Sequence, residues 1–248
     1  MSTIKTCRIL GVNIAVTNMA QTAQYIENNL EELRGKYICV SNVHTTVMAH
    51  DNPAYCNVQN SAAIALPDGK PLSVVSRKRG YTEAERVTGP DLMGELFARE
   101  NGLKHFFYGD KEETLRILQQ KLKEKYPDIQ IAGMISPPFR SLSQEEEKAY
   151  IQQINDSGAD IIWIGLGAPK QENWMYEHQG MLHGVMIGVG AGFSYHAGLI
   201  KRAPEWMQKM SLEWFYRLMQ DPVRLFKRYF TTNLKFMLLE AKDKGEVL

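Results

Sequence analysis

Apolar residues in the first two hundred positions gather into short, dense runs, and the stretches between them repeat apolar residues at helical spacing. The runs predict strands at Arg8–Val16, Tyr37–Val40, Ala62–Leu66, Lys104–Tyr108, Ile129–Ile135, Asp160–Leu166 and Gly184–Val189. The intervening periodicity predicts helices at Met19–Leu33, Pro53–Asn60, Pro90–Glu100, Glu112–Tyr126, Gln144–Ser157 and Gln171–Gly180. Thr88 with Asp91 three residues on, and Ser143 before Glu146, mark helix starts with acidic first turns. Ile161–Ile164 and Val185–Val189 are apolar throughout, as strands covered on both faces require. Strands alternating with helices of this length predict the α/β class: a Rossmann-like, mostly parallel sheet with helices on both faces. Beyond residue 200 the strand runs stop. Pro204 opens one helix, and Asp221-Pro222 supplies the N-cap and first position of another that runs to about Lys242. The expected organisation is an α/β catalytic core over residues 1–200 with a helical C-terminal appendage over residues 201–248.

Composition changes this picture only at the C-terminal end. The 248 residues are long enough for one large domain with a sizeable core, and a net charge of +1 nominates no partner, nucleic acid included. Residues 201–248, however, hold ten Lys/Arg against six Asp/Glu, so the rest of the chain is net negative. The asymmetry fits either a solvated basic helix or an anionic ligand or surface met by the appendage. Three cysteines without CxxC spacing suit a reducing compartment. Neither a secretory signal nor a run of about 18 apolar residues is evident, so a cytoplasmic protein, peripheral to the membrane at most, is expected.

Ligands of open α/β sheets sit beyond the carboxyl ends of the strands, which directs attention to four loops. Asn42 and Thr45 follow the second strand run, where they suit a helix cap as well as a ligand contact. Pro67-Asp68-Gly69 reads as a plain turn, or as a half-desolvated carboxylate raised in basicity for general-base work. The loops around Gly167 and Gly190 place glycines between strand and helix, where they permit tight packing or leave amide N–H groups free for an anion. Lys170 and Gln171 project from the first turn after Gly167. GxGxxG, DxD, HExxH, GxSxG and Walker A patterns are all missing, so no cofactor or metal is expected. The positive charge for a phosphate must then come from side chains. Lys201, Arg202, Arg217, Arg224, Lys227 and Arg228 supply it in the appendage, Arg224 and Arg228 at i,i+4, unless they serve as salt bridges to the core.

These residues in this order resemble the WecG/TagA/CpsF glycosyltransferases over nearly the whole chain. The resemblance rests on Pro67-Asp68-Gly69, Arg86-Val87-Thr88-Gly89 with Asp91, Gly165 to Glu172, and Gly188 to Phe193. It continues through Arg202-Ala203-Pro204, Leu212-Glu213-Trp214, Arg217, Pro222, Arg224-Leu225 and Arg228-Tyr229. It implies an inverting, metal-independent transfer from a UDP-sugar donor to undecaprenyl-diphosphate-linked N-acetylglucosamine, in the synthesis of surface polysaccharide or teichoic-acid linkage units. Asp68 falls on the family's catalytic-base position, Arg86 and Gln171 on donor-site positions, and Arg217, Arg224 and Arg228 on the part that closes over the diphosphate. Where the family often has Thr-x-Asn, this chain has Val40-Ser41-Asn42, which leaves Ser41 or Thr45 to replace the threonine. Eight aromatic residues and a net charge of +5 over residues 201–239 suit contact with an anionic membrane, and self-association when no membrane is present. A nicotinamide-dependent oxidoreductase and a non-catalytic membrane-associated scaffold are the competing readings.

Overall fold

The computed structural model describes residues 4–99, 102–204, 206–207, 212–220 and 222–243, and the side chains of 224–229 lie outside it. Its centre is an eight-stranded sheet in the order β1-β2-β4-β3-β8-β7-β5-β6. The strands are β1 (Thr6–Ile9), β2 (Val12–Ala15), β3 (Tyr37–Ser41), β4 (Ile64–Pro67), β5 (Lys104–Gly109), β6 (Gln130–Ile135), β7 (Ile161–Gly165) and β8 (Val185–Gly188). All pairings are parallel except β1 with β2. The run Arg8–Val16, expected as one strand, is therefore a hairpin. Leu10 and Gly11 turn it, both at positive φ, a conformation that glycine adopts freely.

Successive strand residues feed two separate cores. In β7, Ile162 and Ile164 join one core while Ile161 and Trp163 join the other; in β3, Tyr37 and Cys39 part from Ile38 and Val40 in the same way. The two-residue alternation of a strand thus explains why these runs have no polar face. Helices α3 (Val43–Asp51), α4 (Pro53–Ser61), α5 (Lys70–Lys78) and α9 (Lys170–Glu177) give side chains to the first core. Helices α1 (Met19–Asn28), α6 (Gly89–Phe97), α7 (Glu112–Lys125) and α10 (Gly192–His196) give theirs to the second. The expected caps are present: Thr88 accepts from the Asp91 N–H, and Ser143 forms a reciprocal capping box with Glu146 at the start of α8 (Gln144–Asp156).

Two helices have no counterpart in the sequence-based set. Helix α3 is rich in Thr and Val, residues of low helix propensity, and forms because five of its nine residues are buried against the sheet. Helix α5 begins with Pro71 near its first position and buries Leu72 and Val75. The expected helix Met19–Leu33 is interrupted at Asn29, whose side-chain amide donates to the Tyr25 carbonyl.

After α10 the described chain forms two more helices, a short one (Glu213–Gln220) and a long one (Pro222–Glu240). Asp221 and, of the helix expected after Pro204, positions 205 and 208–211 lie outside the described residues. The long helix lies on α3. Phe236 is buried in the first core, Lys235 pairs with Asp51 at 2.6 Å, and Asp243 accepts from Arg79 and from the Leu10 N–H.

Candidate active site

Asp68 stands where the chain leaves β4 for α5. Its N–H donates to the Ser41 carbonyl at 2.8 Å, which fixes it beside the end of β3, and the Val87 N–H donates to Pro67 O, which brings Arg86 alongside. Asp68 is half-buried, and burial pushes its carboxyl up to about 6. The Arg86 charge and a hydrogen bond from the Asn42 side chain oppose that rise, while Glu213 and Asp91 add to it. A carboxylate with this affinity for a proton is ionised near neutrality and is a better base than an exposed aspartate.

The polar residues after β3 divide between cap and site. Asn42 Oδ1 accepts from the His44 and Thr45 N–H groups, and Thr45 Oγ1 accepts from the Asn42 N–H, so the buried Thr45 hydroxyl belongs to the capping box of α3. Ser41 donates to Gln59 inside the protein at 2.6 Å. Of this group, Asn42 is the one whose side chain reaches Asp68.

Around Asp68 the charges alternate. Arg86 Nη1 lies 2.7 Å from Glu213 Oε2 and its Nη2 lies 4.0 Å from Asp91 Oδ2. Arg202 Nη1 lies 2.6 Å from Asp91 Oδ1 and its Nε 3.8 Å from Glu213 Oε1. Burial alone would raise Asp91, but hydrogen bonds from Arg202 and Thr88 outweigh it and hold the carboxyl below the usual carboxylate range. The short C-terminal helix therefore meets the core at the same arginine that acts on Asp68.

The two glycine loops lie on the other side of β3. Gly167 and Gly190 both adopt positive φ, and the N–H of each donates to Gln171 Oε1, at 3.2 and 3.0 Å. The sequence left these amides free for an anion; instead the buried Gln171 amide ties the two loops together. Gln171 Nε2 in turn donates to Glu172 Oε1 at 2.8 Å. Glu172 is 1% exposed, and burial raises its carboxyl above the usual range against the opposing hydrogen bonds from Gln171 and Tyr55. Gly89 joins the two halves of the site: a side chain there would press on Val189 of the second loop at 3.2 Å.

The structure thus gathers Asn42, Asp68 and Arg86 into one group, and Gly167, Gln171 and Gly190 into another. Lys170 is exposed at the start of α9. Arg217 donates to the Tyr195 hydroxyl at 2.5 Å and stacks its guanidinium 5.2 Å from that ring, beside α10. Arg224 and Arg228 belong to the long helix, and their side chains lie outside the described residues. Glu213 and Arg202 stand in motifs of the sequence, Arg202 as one of the appendage cations offered to a phosphate, but neither Glu213 nor Glu172 was singled out from the sequence as a site residue. Only the folded chain brings the first two to Asp91 and Arg86. Glu172 adjoins Gln171 in the motif, but nothing in the pattern tells of its burial. His105 serves the core, where it accepts from the Trp163 indole.

Comparison with known proteins agrees with the order of these motifs. The model of the glycosyl transferase WecG/TagA/CpsF family matches residues 7–246. A protein of Bacillus subtilis (strain 168), N-acetylglucosaminyldiphosphoundecaprenol N-acetyl-beta-D-mannosaminyltransferase, is 30% identical over 92% of this chain and 88% of its own length. A protein of the same name from Staphylococcus aureus (strain MW2) is 29% identical over 95% of this chain and 93% of its own.

Proposed function

The chain belongs to the WecG/TagA/CpsF family of glycosyl transferases, and from that premise we propose that it moves N-acetylmannosamine, or a related sugar, from a UDP-sugar to undecaprenyl-diphosphate-linked N-acetylglucosamine. The observation that carries this reading is Asp68, a half-buried carboxyl pushed up to about 6 at the carboxyl end of a central strand, between Asn42 and Arg86. Asp68 takes the proton from the acceptor hydroxyl as that oxygen bonds to the anomeric carbon. The bond from that carbon to the diphosphate breaks on the opposite face, UDP leaves with the electron pair, and the configuration inverts. Charge grows on the leaving diphosphate, and arginines are suited to meet it with paired N–H groups. Arg217 and, on the long helix, Arg224 and Arg228 are the residues for that role.

No helix among the described residues is long and apolar enough to cross a membrane. Trp214, Phe215, Met219, Phe230, Met237 and Leu238 are large, apolar and exposed on the last two helices. Basic helices with such a surface rest on an anionic bilayer from outside, where a lipid-linked acceptor is found. Peripheral contact with the inner face of the membrane follows from this reading. Incubation with UDP-N-acetylmannosamine and a short-prenyl diphosphate N-acetylglucosamine in excess EDTA, read by mass spectrometry, should give the disaccharide product. Transfer that requires added Mg²⁺ would remove the metal-independent part of the proposal, and no transfer from any UDP-sugar would remove the whole.

A further inference from the structure

A cleft of about 420 Å³ is lined by Lys70, Ser73, Arg77, Glu85 and Arg86, and it adjoins Asp68 through Arg86, whose charge acts on that carboxyl, and through Lys70 two residues along the chain. It is separate from the glycine loops. In the sheet, β3 stands between β4 and β8, so the loop after β8 lies on one side of Asp68. Helix α5, which carries Lys70, Ser73 and Arg77, packs toward β1 on the other.

The cleft holds the positive charge that the rest of the site has already neutralised. Arg86 and Arg202 are matched by Glu213 and Asp91. Arg77 donates to the Ala84 carbonyl at 2.7 Å, which fixes the guanidinium while leaving N–H groups to spare, and neither Arg77 nor Lys70 meets a carboxylate among the described residues. Ser73 is buried, and Glu85 is the one acid on the lining. Two unmatched cations held two residues and two turns beyond the base form a receptor for a doubly charged anion such as a diphosphate ester.

Two diphosphates take part in the reaction proposed above, and geometry separates them. In an inverting displacement the nucleophile and leaving group occupy opposite faces of the anomeric carbon. The donor diphosphate therefore lies away from the base, and a diphosphate on the base's own side belongs to the molecule being deprotonated. We propose that the Lys70–Arg77 cleft binds the diphosphate of the lipid-linked acceptor and so sets its sugar hydroxyl against Asp68. Helix α5 supports the assignment. It runs from the cleft to Arg79, which pairs with Asp243 just beyond the long helix, whose exposed Leu234, Met237 and Leu238 are suited to the acceptor's hydrocarbon.

This inference rests on the transferase reading, and the test keeps their failures apart. Wild type, Lys70→Gln, Lys70→Glu and the double variant Lys70→Gln/Arg77→Gln are assayed with UDP-N-acetylmannosamine. One acceptor is a short-prenyl diphosphate N-acetylglucosamine and the other a neutral alkyl N-acetylglucosaminide. Transfer by the wild type to the first acceptor tests the parent reading alone. Given that transfer, the double variant should raise KM for the diphosphate acceptor about tenfold or more, since a lost ground-state contact appears in KM rather than kcat. KM for the donor should be unchanged, and wild type and variant should be equally poor with the neutral acceptor. Lys70 is exposed, so Lys70→Glu folds normally and should give the same pattern alone if loss of the Arg77–Ala84 bond unfolds the double variant. An unchanged acceptor KM in Lys70→Glu, or a rise in donor KM instead, would overturn the proposal.

Discussion

The α/β core and the last two helices bury their residues in opposite ways. Strands β3, β5, β7 and β8 pack both faces, and Ile38, Phe107, Ile162, Trp163 and Ile187 have almost no exposed surface. On the long helix Phe236 alone is buried among the described side chains, while Val223 and Met237 are largely exposed. The core is held by apolar area removed from water. Among the described residues, the part beyond residue 200 is held by buried Ala203, Met207 and Phe236, by Leu239 packed on the first core, and by ion pairs that include Lys235–Asp51, Arg79–Asp243, Arg79–Glu240 and Arg86–Glu213. The half-exposed Lys235–Asp51 pair stabilises by about 0–1 kcal/mol and weakens with salt, while the Arg79 and Arg86 pairs are more covered. The sheet thus fixes Asp68 together with Arg86 and Asp91, while Glu213 and Arg202 reach the same cluster from the C-terminal part. A site so divided can open its charged side to a substrate without disturbing the strand ends.

The largest expected effect lies wholly in the core. Asp68→Asn should lower kcat by roughly 10²–10⁴-fold, the usual weight of a general base. The same change should stabilise the fold. A carboxyl whose folded pKa is raised favours the folded state when protonated, so stability falls as pH rises from the unfolded value of 3.8 to about 6, and the cost is complete above that. An asparagine cannot ionise, and at pH 7 it should melt higher by an amount equivalent to about 1–2 kcal/mol. A melting temperature that falls with activity would mean that Asp68 supports the turn rather than the chemistry.

Next comes the apolar anchor. Phe236→Ala should destabilise the protein by about 3 kcal/mol if the appendage unfolds together with the core. A separate, early transition, followed by an unchanged main one, would show that the division at residue 200 also separates two folding units. Calorimetry distinguishes the two.

Glu172→Ala should cost roughly 1–3 kcal/mol, because it leaves a buried Gln171 donor without its acceptor. Glu172→Gln should restore most of this, since its amide oxygen can still accept from Gln171. Equal damage from both would mean that the carboxyl itself is required.

The smallest effect is the most diagnostic of the link between the two regions. Wild-type kcat/KM should fall as pH drops through about 6, where Asp68 takes up its proton. Glu213 raises that value from the appendage, so Glu213→Gln should move the acid limb to lower pH. Arg86 lowers it from the core, so Arg86→Gln should move the limb to higher pH in whatever activity remains. An acid limb that ignores both changes would mean that the alternating charges do not face the base in solution.

The sequence by itself determined the α/β class, the central and parallel strands, and the loops where chemistry gathers, because each depends on local pattern. Two-sided burial writes itself as uninterrupted apolar runs, and Thr88 and Ser143 announce their helices within three residues. Asp68 was legible for the same reason: it directly follows a strand, between proline and glycine. Local pattern could not show Leu10-Gly11 dividing a strand run into a hairpin, since a long apolar run is the same string either way. Nor could it reveal α3, whose Val and Thr residues become helical only when the sheet buries them.

Only the tertiary structure decided which groups are free. Gln171 turned inward to hold the amides of Gly167 and Gly190, Thr45 closed a cap, and Glu213 came 127 positions along the chain to meet Arg86. Hydrogen-bond and ion-pair partners are chosen by proximity in space, and a chain records its charges without recording which of them will already be matched. That is why the sequence pointed to the appendage arginines, and the fold pointed to Lys70 and Arg77.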